Sequence, residues 1–150
     1  MENHSVDSTR QSLAAIEKAR WKAADRLVTP WWYHPVLGLL TSAYLVAITL
    51  GDQITRFIAM AIFLLGVAAL VGAYRKLTGV WISGFSAGKA SRWAYLLAGL
   101  LILCGVAAFL LHNVGLDWPT WVAAAVVFFG VIVLGRKFDV ALRDQLRVTP

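Results

Sequence analysis

The sequence is short of the residues on which disulfide bonding, metal binding and catalysis depend. Its one cysteine, Cys104, lies within an apolar run and has no second thiol to pair with, so a disulfide framework is excluded. Charged residues make up only 15% of the chain, and among them we recognise no paired carboxylates, activated nucleophile or cluster of metal ligands. We therefore expect a protein without enzymatic activity, bound metal or cofactor.

Charge in the middle of the apolar runs is also missing. Ion-coupled transporters keep a titratable side chain near mid-membrane, although burying such a group is costly. Here the acids Asp52 and Asp117 and the histidines His34 and His112 all lie at the ends of the runs. This pattern argues against an ion-coupled exporter. It favours the two histidines as interface anchors or as hydrogen-bonding groups at helix ends.

Apolar residues are what the chain has in excess. The types AVILMFWYC account for 59% of its 150 residues, whereas soluble domains reach about 45 to 50% even when glycine is included. The run over residues 93–112 contains no Asp, Glu, Lys or Arg. A helix of that length spans about 30 Å, the thickness of the hydrocarbon core of a bilayer. The composition therefore predicts a membrane protein.

Four such runs predict an all-α integral membrane protein. The spans are expected at about residues 31–50, 54–74, 93–112 and 119–135. Short connections within the first and second pairs of runs predict two antiparallel hairpins, forming one transmembrane domain over 31–135. An amphipathic helix within residues 1–30 is expected to precede this domain, and a charged tail over 136–150 to follow it. The first segment lacks the pattern of a cleavable secretion signal.

The distribution of lysine and arginine predicts the orientation. Thirteen of the 14 such residues lie in the segments 1–30, 75–92 and 136–150, and only Arg56 lies on the opposite side. The positive-inside rule then places both termini and the amphipathic helix in the cytoplasm, with the spans in the cell membrane. Topology thus accounts for the net charge of +6, and we expect no nucleic-acid partner.

The longest polar connection, residues 75–92, is basic and contains no acid. Its cations and one of its aromatic residues are candidates for binding anionic lipid headgroups or a protein partner: Arg75, Lys76, Trp81, Lys89 and Arg92. A tryptophan dipped into the headgroup layer beside cations that face phosphate is typical of an interfacial loop. The bilayer itself is therefore the first expected partner.

Small residues at four-residue spacing predict close helix packing. They are Gly38, Ser42, Ala43 and Ala47 in the first span and Ala68 and Gly72 in the second. Such faces can meet within one chain, between two copies of it, or against another membrane protein. A weak internal repeat, in which a shift of 61 residues places Trp32 on Trp93, predicts in addition a pseudo-twofold axis along the membrane normal.

Two functions from different classes are compatible with these features. The first is a non-catalytic accessory, regulatory or structural membrane module that acts through helix packing and a basic cytoplasmic face. The second is a small homodimeric carrier whose pathway is lined by the polar groups of the first span, Thr41, Ser42, Tyr44 and Thr49. Against the carrier, hydroxyl groups in a membrane helix commonly bond to carbonyls of their own helix or to a neighbour.

Overall fold

A computed structural model describes Ala15 and residues 29–78 and 88–148, and 91% of these residues are helical, with no strand among them. The helices are α1 (Tyr33–Leu50), α2 (Gln53–Thr78), α3 (Ser91–Asn113), preceded by a short 3-10 turn (Gly88–Ala90), and α4 (Trp118–Val148). All four are long and apolar enough to cross a membrane, which confirms the predicted helix class and number. Trp81 lies outside the described residues. So does the amphipathic helix expected within residues 1–30, except for Ala15.

Local hydrogen bonding explains where two of the helices begin and end. The Asp52 carboxylate accepts a hydrogen bond from the Thr55 backbone N–H at 2.9 Å, which is the N-cap arrangement that starts α2. After α3, the N–H of Leu116 bonds to the carbonyl of Leu111 and the N–H of Gly115 to that of His112. Gly115 has φ +85° and supplies the left-handed residue that this Schellman ending requires.

Helix α4 does not end with the apolar run near residue 135. It continues as one helix to Val148, so the charged tail is an extension of α4. The extension packs against the start of α3, where Leu142 and Ala90 form a small buried cluster with Phe138 and Ala141. The side chain of Gln145 also accepts a hydrogen bond from the Ala90 N–H at 3.2 Å.

The four helices divide into an inner and an outer pair. Helix α1 packs along α4, α2 packs on α1, and α3 packs on α4. Of the residues in each apolar span, 28% are buried in α1 and 33% in α4, against 6% in α2 and 6% in α3. The core lies between the inner helices, where Leu45, Val127 and Val131 pack together with Ala108 of α3.

The contacts between helices do not have the symmetry that the internal repeat predicts. A pseudo-twofold axis would exchange α1 with α3 and α2 with α4, so the contact between α1 and α4 would recur between α3 and α2. Within the described residues, α1 and α4 pack along each other while α2 and α3 have no comparable contact. The predicted symmetry is therefore wrong for the arrangement of these helices.

Candidate functional site

A buried histidine joins the two inner helices. His34, in the first turn of α1, is 7% exposed, and its Nε2 lies 2.8 Å from a carboxylate oxygen of Asp139 in α4. The Asp139 side chain is 16% exposed. A charge-assisted hydrogen bond with so little solvent around it is stronger than the same bond at the surface. His34 is therefore an internal link between helices and not an exposed interface anchor.

Gly135 makes room for this link, one helical turn before Asp139. A Cβ atom on Gly135 would overlap the imidazole of His34, so only glycine lets the backbone of α4 approach the ring this closely. The second ring nitrogen, Nδ1, is buried and has no hydrogen-bond partner among the described residues. A carboxylate only accepts hydrogen bonds, so the proton between the two groups is carried by Nε2 of His34.

The His34–Asp139 pair lies beside a cavity of about 200 Å³ to which all four helices contribute. The walls are mainly aromatic and aliphatic, and include Tyr33, Tyr74, Trp93 and Phe138. The Tyr33 ring lies 5.3 Å from that of Tyr74 and 5.4 Å from the imidazole of His34. The starts of α1 and α3 thus meet the late turns of α2 and α4, and we call this region the cavity end.

A basic cleft adjoins the cavity between α3 and the extension of α4. It is an open depression of about 400 Å³, lined by Arg92, Trp93, Arg136, Lys137, Val140, Ala141 and Asp144. Two of its cations are held at one indole ring: Lys137 Nζ lies 5.0 Å and Arg92 Cζ 5.2 Å from the ring centroid of Trp93. At an exposed site, such a cation–π contact contributes about 0.5 to 1 kcal/mol, which favours this placement of the two side chains.

The cations predicted to bind headgroups are exposed where the structure describes them. Arg92 lines the basic cleft, Arg75 and Lys76 lie in the last turn of α2, and Lys89 lies in the 3-10 turn before α3. Folding brings Arg92 together with Arg136 and Lys137, two residues far along the chain. The described cleft is therefore built across two helices, whereas the sequence interpretation confined the site to one connection.

The small residues predicted to pack helices fall into two groups. Gly38 and Ser42 are buried, and a Cβ on Gly38 would lie 3.0 Å from the carbonyl oxygen of Phe128 in α4. Ala47 is partly buried, whereas Ala43 and Ala68 are exposed, and a Cβ on Gly72 would have nothing described within 4 Å. The small face of α1 is thus used inside the chain, and that of α2 is left open.

The four hydroxyl groups of α1 that could line a pathway are occupied by bonds within the described chain. The hydroxyls of Thr41, Ser42 and Thr49 donate to the carbonyls of Leu37, Gly38 and Leu45, and the Tyr44 hydroxyl donates to the sulfur of Met60 at 3.4 Å. The expectation that these groups bond to their own helix or to a neighbour is therefore confirmed. None of these bonds points to a polar pathway between helices.

The opposite end carries simpler polar contacts. His112 Nδ1 and Asp117 pair at 2.6 Å across the turn between α3 and α4, with the aspartate side chain 65% exposed. At the other turn, bonds from the Thr55 side chain and N–H hold the pKa of the Asp52 carboxyl below its usual range. No group of three His, Cys, Asp or Glu side chains that could hold a metal ion occurs within the described residues.

Asp139 and Gly135 are the central residues that sequence reasoning missed. On sequence alone, Asp139 falls in the charged tail over 136–150 and has no assigned role. A signal was present, however, because Val127, Val131, Gly135 and Asp139 recur at four-residue intervals. Extending the buried stripe of α4 past the apolar run would have placed the carboxylate on the inner face.

Comparisons of the whole chain with models of protein families, with curated proteins and with solved structures find no match.

Proposed function

We propose that this chain is a multi-pass protein of the cell membrane whose four helices cross the bilayer as two antiparallel hairpins. Contacts between α1 and α2 support the first hairpin, because positions advance along α1 as they recede along α2: Tyr33 with Tyr74, then Leu40 with Gly66, then Tyr44 with Phe63. Only Gly51 and Asp52 separate these two helices. A link of that length requires the chain to reverse direction.

The outer surface supports a lipid environment. Large apolar side chains are exposed along both outer helices, among them Phe57, Ile62 and Leu65 in α2 and Ile102, Leu103 and Phe109 in α3. Contiguous apolar surface on this scale is rare in soluble monomers, whereas lipid solvates it. Trp31 at the cavity end and Trp118 and Trp121 at the opposite end are also exposed, as expected of interfacial aromatic belts.

The charges support an orientation with the cavity end in the cytoplasm. Exposed cations of the described residues at that end are Arg75, Lys76, Lys89, Arg92, Arg136 and Lys137, whereas Arg56 lies at the opposite turn. Under the positive-inside rule, this asymmetry favours cytoplasmic termini. We also propose that the resulting basic face meets the anionic lipid of the inner leaflet.

Within the membrane we infer a non-catalytic accessory, regulatory or structural role. The observation that carries this proposal is the open face of α2, where Ala68 is exposed and a Cβ added to Gly72 would meet no described atom within 4 Å. Small residues that let another backbone approach are useful on a lipid-exposed helix when a second helix packs there. A second copy of the chain or another membrane protein would provide that helix. The bonded hydroxyls of α1 favour this module over the homodimeric carrier.

The experiment compares the size of the complex extracted from native membranes for three forms of the chain. We expect Gly72→Ile on α2 to abolish association, because its side chain would project into the partner. Gly99→Ile on α3, also open in this chain, is the matched control and should leave association unchanged. An association that survives Gly72→Ile, or a wild-type chain that stays monomeric and passes solute in proteoliposomes, would contradict the proposal.

A further inference from the structure

Among the described residues, the basic cleft carries more positive than negative charge. Its described lining includes three cations, Arg92, Arg136 and Lys137, and one carboxylate, that of Asp144. All four of these residues are exposed, so solvent and ligands reach them without a change in the fold. The cleft therefore has room and net charge for an anion.

Tertiary structure holds these cations close together. Arg92 Cζ lies 5.2 Å and Lys137 Nζ 5.0 Å from the Trp93 ring centroid, so their separation cannot exceed the sum of these two distances. An anion bound near both cations is attracted by each of them. A phosphate accepts several N–H bonds at once, and guanidinium groups match its geometry.

The position of the cleft selects an amphipathic anion over a purely polar one. Trp93 lines both the basic cleft and the aromatic cavity, so it marks the boundary between cations and apolar surface. From these cations toward the apolar spans, Leu96 of α3 and Val133 of α4 are exposed to the surroundings. A phospholipid likewise joins an anionic phosphate to apolar acyl chains.

We propose that this cleft binds the phosphate of an anionic phospholipid headgroup through Arg92, Arg136 and Lys137, with Trp93 at the level where the acyl chains begin. The inference rests on the proposed membrane location and cytoplasmic basic face. It deepens that proposal because it assigns lipid recognition to a cleft between α3 and α4, and not to the basic character of that face as a whole.

The test uses the full chain, freed of lipid in a neutral detergent, and measures binding of phosphatidylglycerol and phosphatidylcholine by native mass spectrometry. The variant Arg92→Gln/Lys137→Gln removes two cations from the cleft. The matched control Arg75→Gln/Lys76→Gln removes two from the last turn of α2. We expect the wild type to prefer phosphatidylglycerol, the cleft variant to lose about tenfold in affinity for it, and the control to lose less than about twofold. Circular dichroism checks that each variant is folded.

Other outcomes overturn separate parts of the account. Equal losses in the two variants would show that lipid responds to total charge, which would remove the cleft but keep the basic face. A wild type with no preference between the two lipids would remove both. Soluble glycerol 3-phosphate serves as a competitor. If it displaces phosphatidylglycerol at equal concentration, the cleft binds a soluble phosphate ester and the lipid assignment is wrong.

Discussion

The inner and outer helix pairs use similar residue types for different purposes. Helices α1 and α4 bury their small and polar residues against each other, as in the contact of Gly38 with Phe128 and that of Gly135 with His34. Helices α2 and α3 expose most of their large apolar side chains and have the higher mean hydropathy. The most apolar helices of this chain therefore lie on the outside, the reverse of a water-soluble bundle.

Polar links therefore mark the core more clearly than apolar residues do. In the proposed lipid environment, which is as apolar as leucine, burying one more leucine between helices gains little. A charge-assisted bond such as that between His34 and Asp139 would find no equivalent partner there. Substitutions should accordingly destabilise the fold most when they remove such a bond, less when they disturb close packing between the inner helices, and least at exposed turns.

The largest expected effect comes from removing the carboxylate at the inner contact. Asp139→Ala leaves His34 without its partner and should lower the free energy of unfolding by about 1.5 to 3 kcal/mol, the range for a hydrogen bond to a charged group. Asp144→Ala, on the exposed face of the same helix, is the control and should stay within about 0.5 kcal/mol of wild type. Unfolding in mixed micelles titrated with SDS measures both. Equal effects would mean that the pair does not hold α1 to α4.

An intermediate effect is expected from adding one methyl group between the inner helices. Gly135→Ala places a Cβ against the imidazole of His34 and should destabilise the fold by about 1 to 3 kcal/mol through overpacking. Gly72→Ala on the outer helix α2 has open space and should be neutral, or more stable by up to about 1 kcal/mol from helix propensity. The same SDS titration compares the two variants. A neutral Gly135→Ala would show that the inner helices are not closely packed there.

The smallest effect concerns the exposed turn that starts α2. Hydrogen bonds from the Thr55 side chain and N–H, with a further contribution from Arg56, lower the pKa of Asp52 in the folded chain. Because the folded pKa lies below that of the unfolded chain, about 3.9, this contact stabilises above that pH and is lost as the pH falls through the folded value.

Carbon NMR of the Asp52 carboxyl group measures this pKa directly. Between pH 5 and pH 3 the wild type should lose slightly more stability than Asp52→Asn, since asparagine also caps helices but does not titrate. A midpoint for Asp52 at or above about 3.9 would contradict the capping contact.

The number of helices was predictable from the sequence, and their arrangement was not. Runs such as 93–112 are long and uncharged enough to identify a helix by length alone. The assignment of inner and outer pairs depends on which faces meet, and the four runs are too uniformly apolar for periodicity to reveal that. The continuation of α4 past the apolar run, which stops near residue 135, also depends on packing between helices, because Leu142 packs on Ala90 there.

The chemistry of the candidate site was predictable from the sequence, but only some of its residues were. Arg92 was recognised because it lies in a basic connection beside apolar runs. Its neighbours Arg136 and Lys137 come from another part of the chain, and only the packing of α3 on α4 brings them to Trp93. His34 and Asp139 are 105 positions apart, a separation at which no local pattern can reveal a pair.

The most direct test of the account is the side of the membrane on which the two ends lie. In a Cys104→Ser background, Gln53→Cys and Leu116→Cys place single thiols at the two exposed turns, and Lys76→Cys places one at the basic end. We predict that an impermeant maleimide labels the first two in intact cells and the third only after permeabilisation. Labelling of Lys76→Cys in intact cells would contradict a cytoplasmic basic end. Equal labelling of all three variants in a chain that is released without detergent would contradict the four membrane crossings.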